Sequence, residues 1–504
     1  MHRSPRPAAR VLAVVVLALV VALAAASPAF AAMSRSLVMA RAQKWVSAKI
    51  PYSQRGWANS EGTTVTASTL GWRTDCSGFV SMAWNTFKPG YSTRTLQQTS
   101  TRITKEALQR GDALVSYNYH AVIFGGWANA ERTKFYEYQM GGEVAPGDGT
   151  GMRIEEYPGW SPADSPYIPY RLNGITENID YTGFIAPIEG ADRYSTAVAA
   201  SRSAFVTGSV DAVVIACGDN WPDALGGSAL AGAIAGPVLL TKPGALPESV
   251  SAEITRLGAS EAIVVGGEPA VSATVFKALD ALPGVDATRL AGVDRYATSA
   301  RIAEEAVLRL KQRPGGYSGA IFVTTGANFP DALAASPLAA KSGWPILLTT
   351  PERLSGETSA AIAAIGAKRA LILGSASAVS TATEADLEGL IAPEQIERLE
   401  GRNRYATGYA IATWGLKNCG LTMAGPAIAT GEDFPDALAG GVMAARLNTV
   451  LLLTHSNWLD AAVSDLLLQN ATTVGKPKVL GGETVLKPIL REAIALALEP
   501  QSGQ

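Results

Sequence analysis

One short pattern occurs three times in the last two thirds of this chain, and it restricts the possible folds more than any other feature. Gly190-Ala191-Asp192-Arg193-Tyr194-Ser195-Thr196 returns as Gly292-Val293-Asp294-Arg295-Tyr296-Ala297-Thr298 and as Gly401-Arg402-Asn403-Arg404-Tyr405-Ala406-Thr407. Each is followed by a second landmark: Gly218-Asp219-Asn220-Trp221-Pro222-Asp223-Ala224-Leu225, then Gly326 to Leu333, then Gly431 to Leu438. An apolar run ending in threonine comes next (Pro237–Thr241, Pro345–Thr349, Val450–Thr454), then a run closing on glycine (Ile263–Gly267, Leu371–Gly374, Val479–Gly482). Four landmarks in fixed order, three times, mark an internal repeat of roughly 100 residues, the size of a small domain.

Within one copy, Ala212–Ala216, Val238–Leu240 and Ile263–Val265 are short runs without a polar face, as expected of strands buried on both sides. Between them Pro222 opens an Ala/Leu-rich helical stretch, and Pro247–Leu257 and Val271–Leu282 read as helices. Strand alternating with helix predicts an α/β unit on a parallel sheet. Asp192 is placed to cap the helix that follows, and Asn403 takes its place in the third copy. No copy carries GxGxxG or GxxxxGK[ST], so the Gly-rich turns give no nucleotide-binding signature.

These copies resemble the type 2 cell-wall-binding repeat, usually found in threes on exported proteins of Gram-positive cells. The resemblance covers residues 188–289, 290–398 and 399–496. It implies a pseudo-threefold body and non-covalent attachment to an anionic wall polymer. Two roles stay open for the repeated polar residues. Arg193, Arg295 and Arg404, with Asp223, Asp331 and Asp436, are wall-polymer-binding candidates, or the arginines pair with those carboxylates to hold strand-end loops. Trp221, Phe329 and Phe434 either stack on sugars or fill the interfaces between copies.

Composition narrows the remainder. The 504 residues are 47% hydrophobic and 17% charged, enough apolar material for several cores. A net charge of -2 gives no support for a nucleic-acid partner. Three histidines and three cysteines are too few for a disulfide scaffold or a common zinc site, and no metal or other cofactor is expected. Residues 1–32 read as a secretory signal: Arg3, Arg6 and Arg10 precede an uncharged apolar run from Val11 to Ala26, and Ala29-Phe30-Ala31 suits a signal peptidase. The expected mature chain is exported and wall-associated, without a membrane partner once the signal is cleaved. Residues 176–187 read as a linker.

Residues 35–175 contain no copy of the repeat. Their centre is Thr74-Asp75-Cys76-Ser77-Gly78-Phe79-Val80, with Cys76 at the start of an apolar helical pattern. A thiol there meets aligned backbone N–H groups and the positive end of the helix dipole, which favour thiolate. Ser77 and Gly78 are small, leaving room for a substrate backbone. Gly111-Asp112 turns into a strand, His120–Phe124 reads as the next, and Phe135–Gln139 as a third with Glu137 and Gln139 on one face. Cysteine on a helix start, histidine on one strand and a polar residue on the next is the layout of a Cys-His-polar triad.

That combination resembles the NlpC-type (NlpC/p60-like) cysteine peptidases, a papain-like α+β family acting on bacterial cell walls. The resemblance implies hydrolysis of amide bonds in peptidoglycan stem peptides, with Cys76 as nucleophile and His120 as general base. Gln139 is the third member and Glu137 its rival; Tyr52, in Ile50-Pro51-Tyr52, would line the oxyanion side. The insertion Trp57–Trp72 and a long loop at 125–134 depart from the family pattern. The whole reads as a papain-like α+β domain plus three α/β parallel-sheet repeats: a secreted peptidoglycan hydrolase tethered to the wall. The alternatives are an N-acetylmuramoyl-alanine amidase of the related Cys-His class and a non-catalytic adhesin.

Overall fold

The computed structural model of the protein describes residues 33–129, 131–141, 151–159, 161–176 and 181–498. The signal read over residues 1–32 lies outside the described residues, as does part of the linker. Among the described residues no helix is long and apolar enough to cross a membrane. The chain divides into two units, Met1–Ile179 and Asp180–Gln504.

In the first unit, α1 (Arg35–Ser47) starts at Ser34, whose hydroxyl accepts from the Leu37 amide. The insertion before the cysteine is a small antiparallel sheet in the order β2-β1-β3, built from β1 (Ser53–Ala58), β2 (Thr64–Val65) and β3 (Trp72–Thr74). Then comes α2 (Cys76–Ala83). The rest is an antiparallel sheet of β4 (Ser100–Arg102), β5 (Ala113–Ser116), β6 (His120–Trp127), β7 (Lys134–Gln139), β8 (Gly151–Glu156) and β9 (Ile168–Leu172), in the order β4-β9-β5-β6-β7-β8. β6 runs on to Trp127, so the loop expected over 125–134 is shorter than the sequence suggested. Helix α2 packs between α1 and β6, burying Trp45, Phe79 and Met82. Asp112, the acid of the Gly-Asp turn, is fully buried between Arg35 of α1 (3.0 Å) and Arg171 of β9 (2.8 Å). That clamp fixes the first helix to the sheet.

The second unit is three copies of one plan. Copy 1 has β10 (Ala186–Ile188), α3 (Arg193–Ala204), β11 (Ala212–Cys217), α4 (Gly227–Ile234), β12 (Val238–Thr241), α5 (Glu248–Leu257), β13 (Glu261–Val265) and α6 (Ala273–Asp280). Copy 2 has β14 (Asp286–Leu290), α7 (Arg295–Lys311), β15 (Ala320–Thr325), α8 (Pro330–Ser342), β16 (Ile346–Thr349), α9 (Gly356–Ile365), β17 (Arg369–Leu373) and α10 (Thr381–Glu388). Copy 3 has β18 (Ile396–Leu399), α11 (Arg404–Asn418), β19 (Thr422–Thr430), α12 (Pro435–Arg446), β20 (Thr449–Thr454), α13 (Ala461–Gln469), β21 (Lys478–Leu480) and α14 (Pro488–Leu498). All three sheets are parallel, and the wholly buried β11, β15 and β20 explain the unbroken apolar runs. Asp192, Asp294 and Asn403 cap α3, α7 and α11 through side-chain oxygens, as their positions foretold.

Two details depart from the sequence reading. Each sheet has a fourth strand at its edge, and it is the one that leads into the next copy: β14 joins copy 1 in the order β12-β11-β13-β14, and β18 joins copy 2. The third sheet receives β10, from before copy 1, in parallel with β21. The segment read as a linker therefore ends as a strand of the last copy's sheet. Second, Pro222 does not begin the helix in copy 1, because Gly226-Gly227 stand where copy 2 has Ala334-Ala335. Each glycine costs about 1 kcal/mol of helix propensity, and α4 starts only at Gly227. As the pseudo-threefold expectation has it, α4, α8 and α12 pack on one another, while α7 lies on α4, α11 on α8 and α3 on α12. The contacts of copies 1 and 2 are thus repeated between copies 3 and 1, and the ring is closed.

Candidate functional site

Asp75 starts α2 and sets the geometry around the cysteine. Its Oδ1 accepts from the Gly78 amide (2.7 Å) and from Ser77 Oγ (3.1 Å), while its Oδ2 accepts from Arg73 Nε (2.7 Å). Ser77 and Gly78 are small for a reason other than substrate room. Ser77 Oγ takes a bond from Arg73, and a Cβ on Gly78 would strike the Arg73 carbonyl, so α2 lies directly on the β3 backbone. Cys76 follows at the first helical position, 7% exposed. Its sulfur meets the backbone N–H groups of Ser77 and Ala121, the latter next to His120 at the mouth of β6.

His120 Nε2 lies 3.1 Å from Gln139 Oε1. A carboxamide oxygen only accepts, so Nε2 carries the proton and Nδ1 keeps its lone pair. Gln139 is 4% exposed at the end of β7. Glu137, two residues back, is held elsewhere, with Arg153 Nη2 at 3.0 Å from its carboxylate. Burial pushes the Glu137 carboxyl up to about 7 against the pull of that guanidinium. The structure thus brings Gln139 to the histidine and gives Glu137 to an ion pair.

The protonation state differs from the expected thiolate. Burial, reinforced by the Asp75 carboxylate, pushes the Cys76 thiol up to about 11 despite the backbone N–H groups. Burial also holds the His120 imidazole below its ordinary range, against the Gln139 bond. Desolvation outweighs the helix terminus because a nearly enclosed sulfur gains little from a partial dipole charge. Tyr52 lies at the surface, 36% exposed, its hydroxyl 3.4 Å from Gln54 Nε2. Tyr167, which the sequence did not single out, is buried and senses both Cys76 and Glu137. A tyrosine between two prolines' reach of loop and strand gave no signal of that placement. No cluster of metal-binding side chains occurs among the described residues.

In the second unit, the repeated arginines hold their own copies' strand ends. Arg193, Arg295 and Arg404 donate from Nη1 to the carbonyls of Gly218, Gly326 and Gly431 at 2.6, 2.6 and 2.7 Å. The repeated aspartates lie in the field of the next copy's arginine, not of their own as the pairing reading had it, while Arg193 also stands 3.6 Å from Asp219 of its own copy. Arg295 acts on Asp223, Arg404 on Asp331 and Arg193 on Asp436. Arg295 also lies over Trp221 (5.2 Å) and Arg404 over Phe329 (5.9 Å). Trp221, Phe329 and Phe434 meet in a row, with centroids 6.0 and 6.2 Å apart. These aromatics fill the interfaces between copies. Burial pushes Asp331 and Asp436 up to about 6.

The model of the family described as cell wall binding domain 2 (CWB2) matches residues 188–276, 289–384 and 398–489, more than half of the chain. The chain is 29% identical over 280 residues to the N-acetylmuramoyl-L-alanine amidase LytC of Bacillus subtilis, covering 56% of this chain and 52% of that protein. It is 29% identical over 308 residues to the amidase enhancer of the same organism, covering 61% and 39%. It spans about half the length, or less, of these relatives. Two solved structures from Clostridium difficile are similar. Cwp8 has a TM-score of 0.54 at 27% identity, over 62% of this chain and 51% of that one. Cwp6 has a TM-score of 0.56 at 20% identity, over 77% and 63%, a likeness of fold.

Proposed function

This chain belongs to the cell wall binding domain 2 family, and from that premise we propose that it is a secreted peptidoglycan hydrolase anchored to the wall by its three repeats. On this reading the first unit is a papain-like α+β peptidase of the NlpC type, cleaving amide bonds in stem peptides. The observation that supports it most is the His120–Gln139 bond, which leaves the basic ring nitrogen for a thiol seated beside Ala121.

In the resting site both groups are neutral. His120 takes the Cys76 proton as the sulfur attacks the carbonyl carbon, and the backbone N–H groups at the helix start stabilise the negative charge that develops. The imidazolium then gives its proton to the leaving amine, and an acyl-enzyme forms. A water, deprotonated by the same nitrogen, attacks the thioester and frees the acid and the thiol. Gln139 holds the ring through both halves. The anchor raises the local concentration of a soluble enzyme at an insoluble substrate. Cys76→Ala is expected to abolish release of amines from purified peptidoglycan while sedimentation with walls persists. Full activity in that variant would refute the assignment.

The similarity to a protein named as an N-acetylmuramoyl-L-alanine amidase supports a second reading, cleavage between the sugar and the first stem-peptide residue. Mass spectrometry of the released fragments separates the two bonds.

A further inference from the structure

The inner helices α8 and α12 begin directly after Phe329 and Phe434 of the aromatic row, and with α4 they end together at one place. There they line an open depression of about 270 Å³ to which all three copies contribute. Its floor is made of small residues, among them Gly232, Ala340 and Ala445. Gly232 is needed for the approach, since a Cβ there would collide with the Ala340 carbonyl oxygen. The rim carries Arg313, Lys341 and Arg446, all exposed, and no carboxylate is among the lining residues.

Helix ends alone do not account for these charges. Lys341 and Arg446 stand in the last turns of α8 and α12, where a cation offsets the helix dipole. Three helix C-termini together present roughly -1.5 elementary charges, so three cations overcompensate them. Arg446 is spread over the buried ring of Phe205 (5.7 Å), which holds its guanidinium at the rim. Arg313 is tied to the same place by a bond to the Gly232 carbonyl (3.1 Å). Two of the three cations are thus pre-positioned, at little further entropic cost to a ligand.

We infer that this cavity seats an oxyanion of an anionic wall polymer, a phosphodiester or a uronate carboxylate, between Arg313, Lys341 and Arg446. The inference rests on the wall-anchoring reading and names where that contact is made. It also reconciles a polyanionic ligand with a chain of net negative charge: the attraction is local, at one place on the ring.

The test compares the wild-type protein with the triple variant Arg313→Gln, Lys341→Gln, Arg446→Gln. A control variant carries Lys277→Gln, Arg301→Gln and Lys368→Gln, which removes the same charge from exposed sites outside the cavity. Binding to isolated walls, to poly(glycerol phosphate) and to polygalacturonate is measured by sedimentation and calorimetry at about 150 mM salt. The cavity variant is expected to lose roughly tenfold or more in affinity for walls, while the control stays near wild type. Loss on the phosphodiester polymer or on the polyuronate supports the site and identifies its oxyanion. Equal wall binding by the cavity variant and wild type, or equal losses in both variants, overturns the site while leaving the anchor in place. Failure of the wild type to bind walls overturns the anchor itself. Thermal unfolding of the variants excludes a folding defect as the cause of any loss.

Discussion

Gln139 and Glu137 stand two residues apart on one face of β7, yet only one of them meets the histidine. The reason lies on the neighbouring strand: Arg153 of β8 is directly opposite Glu137 and claims its carboxylate. Their variants should therefore separate. Gln139→Ala, which frees the His120 ring, is expected to lower kcat on the order of 10²-fold with KM little changed. Glu137→Gln keeps a hydrogen-bonding amide beside Arg153 and should retain most of the activity; steady-state kinetics on a soluble stem peptide distinguish the two. Because burial depresses His120, the acid limb of kcat/KM should fall below the ordinary histidine value of about 6.5. With the thiol raised, the rate should hold through neutral pH into the alkaline range. The places of Cys76 at a helix start and His120 at a strand start were legible in the sequence. Their protonation was not, because it depends on how much water is excluded, and that follows from packing between distant elements.

The elements with two buried faces were the legible ones. β11, β12 and β13 announce themselves because neither face tolerates a polar residue, and the helix caps announce themselves by chemistry. The edge strands did not. β14 and β18 carry charged residues among apolar ones, as in Ile396-Glu397-Arg398-Leu399, without a regular period, and each sits in the sequence beside the next copy's signature, so nothing there marks a strand. The Gly-Asp turn was likewise visible only as a turn, while its carboxylate proves to be the tie between α1 and β9. Asp112→Ala leaves Arg35 buried without its carboxylate, and breaking such a buried pair costs roughly 3–5 kcal/mol. The expected result is earlier unfolding of the first unit in a thermal or denaturant scan, with the repeats unaffected. Asp112→Ala unfolding together with wild type would show that the clamp contributes little.

At the scale of the ring, the repeated aspartate of each copy lies in the field of the next copy's arginine, a relation that no comparison of adjacent residues can reveal. All three carboxylates so faced are raised by burial, and the rise reaches about 6 for Asp331 opposite Arg404 and for Asp436 opposite Arg193 with Asp433 nearby. The folded-state values near 6 of these two exceed the unfolded value near 3.8. The folded state therefore binds protons more tightly, and the stability these groups contribute is complete below about pH 4 and is lost as pH rises through 6. Each shift of about two units corresponds to roughly 2–3 kcal/mol at most. Asp331→Asn with Asp436→Asn should flatten the dependence of Tm on pH between 4 and 8, with the largest gain over wild type at pH 8. An unchanged pH slope would show that other groups govern it.

The closure of the ring has a consequence in time. β10 leaves the ribosome long before its partner β21 exists, and Glu189 and Arg491, which meet beside that pairing at 3.1 Å, are 302 residues apart. Contacts of such separation form slowly, after the loop-closure entropy has been met. The sheets of copies 1 and 2 draw their strands from neighbouring sequence, whereas the last sheet closes only once residue 478 has been made, and a chain interrupted before it leaves β10 with nothing to pair with.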